Sequence, residues 1–196
     1  MTELALDPHK TAIVVIDLQR GILAHPTAPH ASADVVVRAA QLCGAVRAAG
    51  GTVVLVHVTP SPDGKDALHP VSDLPPLSPG QVPADFAEFV PEMQPQPGDV
   101  MITKRNWGAF YGTELDLQLR RRGVDTIILC GVSTNIGVET TARDAYERGY
   151  SQVFVEDATS TRAAEDHARV FATIFPRIGR VRSTAEVLAA LGAKKT

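Results

Sequence analysis

Residues 125–149, "DTIILCGVSTNIGVETTARDAYERG", decide how this chain folds. The apolar, β-branched run over 125–132 predicts a buried strand. Gly131 permits a tight exit from it. Thr134 or Asn135 can then cap a helix over 134–149. A strand that passes almost directly into a helix is half of a βαβ unit, and its helix start offers unpaired N–H groups suited to an anion. A plain turn of no chemical consequence accounts for the same pattern, since α/β folds contain many.

The alternation continues outward. Strands are expected over 11–19 ("TAIVVIDLQ"), 52–58, 99–106, 151–159 and 179–183, with helices over 33–51, 113–123, 162–174 and 183–192. Thr113 is placed to cap the second of these helices, and Ser183 and Glu186 have capping-box spacing in the last. Strands separated by helices imply right-handed crossovers. The expected fold is therefore α/β, a three-layer Rossmann-like arrangement of about six mainly parallel strands with helices on both faces. In such sheets ligands bind beyond the carboxyl ends of the strands, near the point where the strand order reverses.

One segment breaks the pattern. Residues 59–98 hold ten of the chain's 14 prolines, and only 84–90 offers a short helix. An insert of this kind is functional or poorly ordered, and it leaves the second strand where a lid or a subunit contact would sit. The 196 residues are otherwise expected to form a single domain.

Bulk properties exclude several classes. A net charge of −3 and a pI near 6.1 give no general attraction to nucleic acid or anionic membrane. The run Arg120-Arg121-Arg122 before Gly123 complements the end of a helix. No apolar stretch suffices to span a bilayer, and the amino terminus lacks a signal pattern. Cys43 and Cys130 are the only cysteines, so no disulfide framework is implied. A cytoplasmic, reduced protein is expected.

Polar residues gather where the fold predicts chemistry. The first strand ends in Asp17 and Gln19, and the third in Lys104. A buried Asp needs a partner, and Lys104 is the obvious one. The two form either a structural ion pair or an acid/base pair whose environments tune each other. Gln19 binds substrate or fixes its loop. His57, Asp63 and His69 lie on or near the Pro-rich segment without metal-ligand spacing, so neither metal nor cofactor is expected. His9, His25, His30 and His167 show no partner pattern.

Taken together, "VVIDLQ", "KRNWGAFYGTEL" and "CGVSTNIGVETTARDA" resemble the isochorismatase-like hydrolases, the cysteine hydrolase superfamily, over Thr11 to Leu191. The resemblance implies that Asp17 and Lys104 are catalytic and that Gly137 stands where amidases of the superfamily carry the nucleophilic Cys. It also implies a cis peptide at Val132–Ser133. Val132, Ser133, Thr134 and Asn135 would then contribute to an oxyanion cradle, with Trp107 and Phe110 walling the substrate pocket. Gly137 cannot form a thioester. Cys130 precedes the turn, where a buried structural role is expected, and Cys43 lies inside an apolar helix.

Three functions follow as alternatives. The first is hydrolysis of a small, carboxylate-bearing molecule by Asp17, Lys104 and water. The second is a binding or regulatory protein that has kept the pocket, and the third an amidase with a different nucleophile. Superfamily members are commonly oligomeric, so a homo-oligomer is expected. Light scattering at micromolar concentration should give a mass well above the 20.9 kDa of one chain, and a monomer would reject this.

Overall fold

The computed structural model describes residues 4–73 and 83–192. Six strands form one sheet: β1 (Thr11–Ile16), β2 (Thr52–Val58), β3 (Val100–Lys104), β4 (Thr126–Val132), β5 (Ser151–Ser160) and β6 (Arg180–Arg182). Their order is β3-β2-β1-β4-β5-β6, and every pairing is parallel. The order reverses between β1 and β4, which puts the switch point beside Asp17 and the turn after Val132.

The helices are α1 (Arg20–Leu23), α2 (Ser32–Ala48), α3 (Leu115–Arg121), α4 (Glu139–Glu147), α5 (Ala164–Thr173), α6 (Phe175–Ile178) and α7 (Thr184–Gly192). Residues of β1 alternate between two cores. Ile13 and Val15 pack with α2 and α7, whereas Ala12, Val14 and Ile16 pack with α3, α4, α5 and α6. Period-two alternation with both faces apolar explains why β1 reads as an unbroken hydrophobic run.

Local chemistry explains most boundaries. The Gly51 N–H donates to the Val46 carbonyl and Gly50 takes φ 82, closing α2 as the glycine pair implies. Gly123, at φ 69, ends α3 in the same way. Glu186 accepts from the Ser183 N–H at 2.8 Å and Ser183 Oγ from the Glu186 N–H at 3.3 Å, completing the capping box. The Leu115 N–H donates to Thr113 Oγ1 at 3.2 Å, although α3 itself begins one residue beyond Glu114.

Three expectations change. Strand β1 stops at Ile16 rather than residue 19, because Asp17 adopts φ 53 and turns the chain out of the sheet. The helix expected from 134 opens with a π-helical turn over Thr134–Val138 before α4 begins. Residues 84–90 form turns and an isolated bridge instead of a helix. There the Phe86 and Glu88 carbonyls accept the Gly21 and Arg20 N–H groups, and Pro91 has no N–H to continue a helix. This stretch is tied to the exit of β1, while residues 74–82 of the Pro-rich segment lie outside the described residues.

Among the described glycines, Gly131 makes the tightest approach to neighbouring backbone. It sits at φ 112, and a Cβ there would lie 2.2 Å from the Ile16 carbonyl oxygen. Gly131→Ala should therefore destabilise the protein by about 3 kcal/mol or more, which urea denaturation would measure.

Candidate active site

The end of β1 brings the first two expected residues together. Lys104, the last residue of β3, reaches past β2 and places Nζ 2.8 Å from Asp17 Oδ2. Nζ also donates to the Asn106 carbonyl at 3.2 Å. Asp17 and Lys104 are only 5% and 2% exposed, so the pair lies almost out of reach of bulk water.

Asp17 is only half satisfied. Oδ1 is buried and has no hydrogen-bond partner. Burial raises the carboxyl pKa from 3.8 to about 6, against the lowering pull of Lys104 and, more weakly, His57. Desolvation thus outweighs the nearby positive charge and lifts the Asp17 carboxyl well above the usual carboxylate range.

Gly137 closes over this carboxylate. A Cβ built there would lie 3.3 Å from Asp17 Oδ2, 3.1 Å from Ile16 Cγ2 and 3.4 Å from the Trp107 carbonyl oxygen. The glycine therefore faces the acid directly, and any side chain at this position would crowd it. The turn that carries it begins with a cis Val132–Ser133 peptide. Within the turn the Ser133 carbonyl accepts the N–H groups of Ile136 and Val138, both at 3.1 Å.

Thr141, which the sequence reading passed over, locks this turn. Its hydroxyl donates to the Gly137 carbonyl at 2.6 Å and accepts the Ala109 N–H at 3.1 Å. One side chain thereby fixes Gly137 against the loop after Lys104. A Thr four residues beyond the glycine, able to bond back along a helix, was the available signal.

The remaining expected residues divide. Gln19 is fully buried, donates to the Val58 and Phe86 carbonyls and accepts the Val58 N–H. Of its two readings, these bonds make it a brace for the loop. Trp107 is 60% exposed, and its carbonyl rather than its ring meets Gly137. Phe110 has its ring buried in the core against Tyr150, with the Arg148 guanidinium above it. Val132 is core, and Ser133 is the partly buried residue from which the turn springs. Asn135 is bonded to Asp166 and Thr161.

Thr134 leads to a second polar group. Its Oγ1 lies 2.9 Å from His167 Nδ1, and His167 Nε2 lies 3.0 Å from Glu156 Oε1. His30 Nε2 meets the same oxygen at 3.0 Å. Burial pushes the Glu156 carboxyl up, but the bonds from His30 and His167 outweigh it and hold the pKa below its ordinary value. Burial in turn holds the His167 imidazole below its usual value despite Glu156. Among the described residues, His30, Glu156 and His167 are the one group of three placed to share a metal ion. His57 bonds the Ala87 carbonyl and the Thr103 hydroxyl.

Residues 11–186 match the Isochorismatase domain, and the chain belongs to that family of hydrolases. It is 51% identical over 189 residues to the uncharacterized isochorismatase family protein YwoC of Bacillus subtilis (strain 168), covering 96% of this chain and 97% of that protein. It is 32% identical over 218 residues to the ureidoacrylate amidohydrolase RutB of Methylobacterium radiotolerans, covering 96% and 82%. A solved isochorismatase family protein from Burkholderia thailandensis superposes with a TM-score of 0.92 at 45% identity, covering 98% of this chain and all of that one. No helix among the described residues is long and apolar enough to cross a membrane.

The raised pKa of Asp17 carries a stability consequence. A carboxyl that binds its proton more tightly when folded makes the native state lose stability as pH rises from about 4 to about 6. A shift of about two units corresponds to about 3 kcal/mol, present at pH 4 and gone by pH 7. Denaturation of the wild type and Asp17→Asn across this range should show the wild type losing about that much relative to the variant.

Proposed function

We propose that this chain hydrolyses a small, carboxylate-bearing molecule with Asp17 as general acid, Lys104 as its electrostatic partner and water as nucleophile. The half-paired Asp17 carboxyl with a pKa of about 6 carries the reading. Such a group keeps its proton up to about pH 6, well above an ordinary carboxyl, and its free oxygen can deliver it. Lys104, 2.8 Å away, then stabilises the carboxylate that proton transfer leaves behind. The Lys104 charge adds positive potential that suits a substrate anion. Because the pair is nearly sealed, substrate entry requires the surrounding loops to move.

The absence of thiol chemistry belongs to the same proposal. On this reading Gly137 occupies the family's nucleophile position, where it presents backbone instead of a side chain to Asp17. Cys43 and Cys130 are buried, and burial raises both thiol pKa values, to about 12 for Cys43, so neither supplies a thiolate.

A second reading is an amidase with another nucleophile. It is favoured by the hydroxyl–imidazole–carboxylate chain through Thr134, His167 and Glu156 and by the likeness to an amidohydrolase. Against it, the Thr134 hydroxyl is wholly buried. A binding protein that has lost catalysis is the remaining alternative.

A turnover screen over vinyl ethers, isochorismate among them, and simple amides separates these readings. Under the first, Asp17→Asn abolishes turnover while the fold persists, iodoacetamide leaves activity intact, and kcat/KM falls about tenfold per pH unit above about 6 as the acid loses its proton. Full activity in Asp17→Asn would overturn it. A covalent adduct mapped to Thr134 would establish the second reading, and ligand binding without any turnover the third.

A further inference from the structure

We propose that His30, Glu156 and His167 form a binding site for one first-row divalent transition-metal ion of the zinc class. The site shares no residue with the Asp17–Lys104 pair, and it does not rest on the function proposed for that pair. It lies across the sheet, on β5, two strands from β1 in the strand order.

The donor set is two imidazoles and one carboxylate, the combination that binds zinc and its neighbours with positions left open for water or another ligand. Its three ligand atoms lie within 4.8 Å of one another. Glu156 Oε1 is 3.0 Å from both His30 Nε2 and His167 Nε2. Ligands about 2.1 Å from a common tetrahedral ion stand about 3.4 Å apart, so small rotations of the side chains would seat one. The two rings are edge-on, at 80° with centroids 5.6 Å apart, which lets both Nε2 atoms turn to one point without stacking.

Each donor sits on fixed structure. Glu156 is held within β5, and His167 on α5 stacks on Phe171 at 4.4 Å. His30 comes from a loop, yet its carbonyl accepts from both Thr27 Oγ1 and Ser160 Oγ at 2.8 Å. An antiparallel bridge between Ala28 and Thr161 pins the same loop to the end of β5. The Glu156 side chain is 40% exposed and that of His30 23%, so an ion can arrive from solvent and keep an open coordination side.

His167 also has the outer partner of a metal-ligating histidine. Its Nδ1 lies 2.9 Å from Thr134 Oγ1, a contact that orients the ring. Without metal, His167 donates Nε2–H to Glu156, so Nδ1 accepts the Thr134 hydroxyl proton. With metal on Nε2, the imidazole proton resides on Nδ1 and Thr134 must accept it. No net proton is released from the neutral ring, but the bond reverses direction. Thr134 opens the turn that carries Gly137, so occupancy of this site changes what the Thr134 hydroxyl can donate to.

Untagged protein, stripped with chelator, would be titrated with Zn2+ by calorimetry and with Co2+ by visible absorption. Expected are one saturable site per chain, Co2+ ligand-field bands without sulfur charge transfer, and a higher Tm with Zn2+. His30→Ala and Glu156→Gln should each weaken binding at least tenfold while near-ultraviolet circular dichroism stays native. Thr134→Val should weaken it about tenfold through the outer contact alone. His167 15N shifts should report the proton moving to Nδ1 when Zn2+ binds. No saturable binding, or binding that His30→Ala leaves unchanged, would overturn the proposal. His30 stands on a loop, so that variant decides the matter even where Glu156→Gln fails to fold.

Discussion

The burial of Asp17 beside Lys104 is the constraint around which the chemical end of the molecule is arranged. An isolated carboxylate at the end of a central strand would be costly, and a single ammonium at 2.8 Å offsets only part of the cost. The rest appears as a raised pKa and an unpartnered oxygen. One carboxylate oxygen is left without a hydrogen bond, which an ion pair satisfied on both oxygens would not leave.

Several features exist to hold that state. Asp17 leaves the sheet in a left-handed conformation, while its N–H still bonds the Val56 carbonyl. Gln19 then ties the exit of β1 to β2 and to the end of the Pro-rich segment. Gly131 allows β4 to pass close enough to Ile16 for the next turn to reach the acid. Thr141 anchors Gly137 to the loop that follows Lys104. Except for the local Thr141–Gly137 bond, these contacts join residues distant in sequence, and they surround one carboxyl group.

Family membership and this geometry bear on different questions. The relatives include an amidohydrolase and a protein with no assigned reaction, so likeness alone does not choose a nucleophile. Gly137 facing Asp17, with both cysteines in the core, moves attention from sulfur to a carboxyl acid. The His30–Glu156–His167 group shows that a second polar centre is built into the same sheet without entering the motifs that mark the first.

The sequence by itself determined the α/β architecture. Apolar β-branched runs, glycine stops and capping pairs are local signals, and each acts within a few residues of the element it defines. That Asp17 and Lys104 would meet was legible for a related reason: each sits at a strand end, and parallel sheets bring strand ends together; Gly137 stood out only through the family resemblance. Only the tertiary structure decided the protonation balance of Asp17, because desolvation depends on everything packed around it. Tertiary structure also assigned Gln19 to bracing and Phe110 to the core, since either residue could serve both roles until its neighbours were known. It alone joined His30 to His167, which stand 137 positions apart in the chain and meet across Glu156. No local pattern encodes a contact that exists only after β5 and α5 have packed.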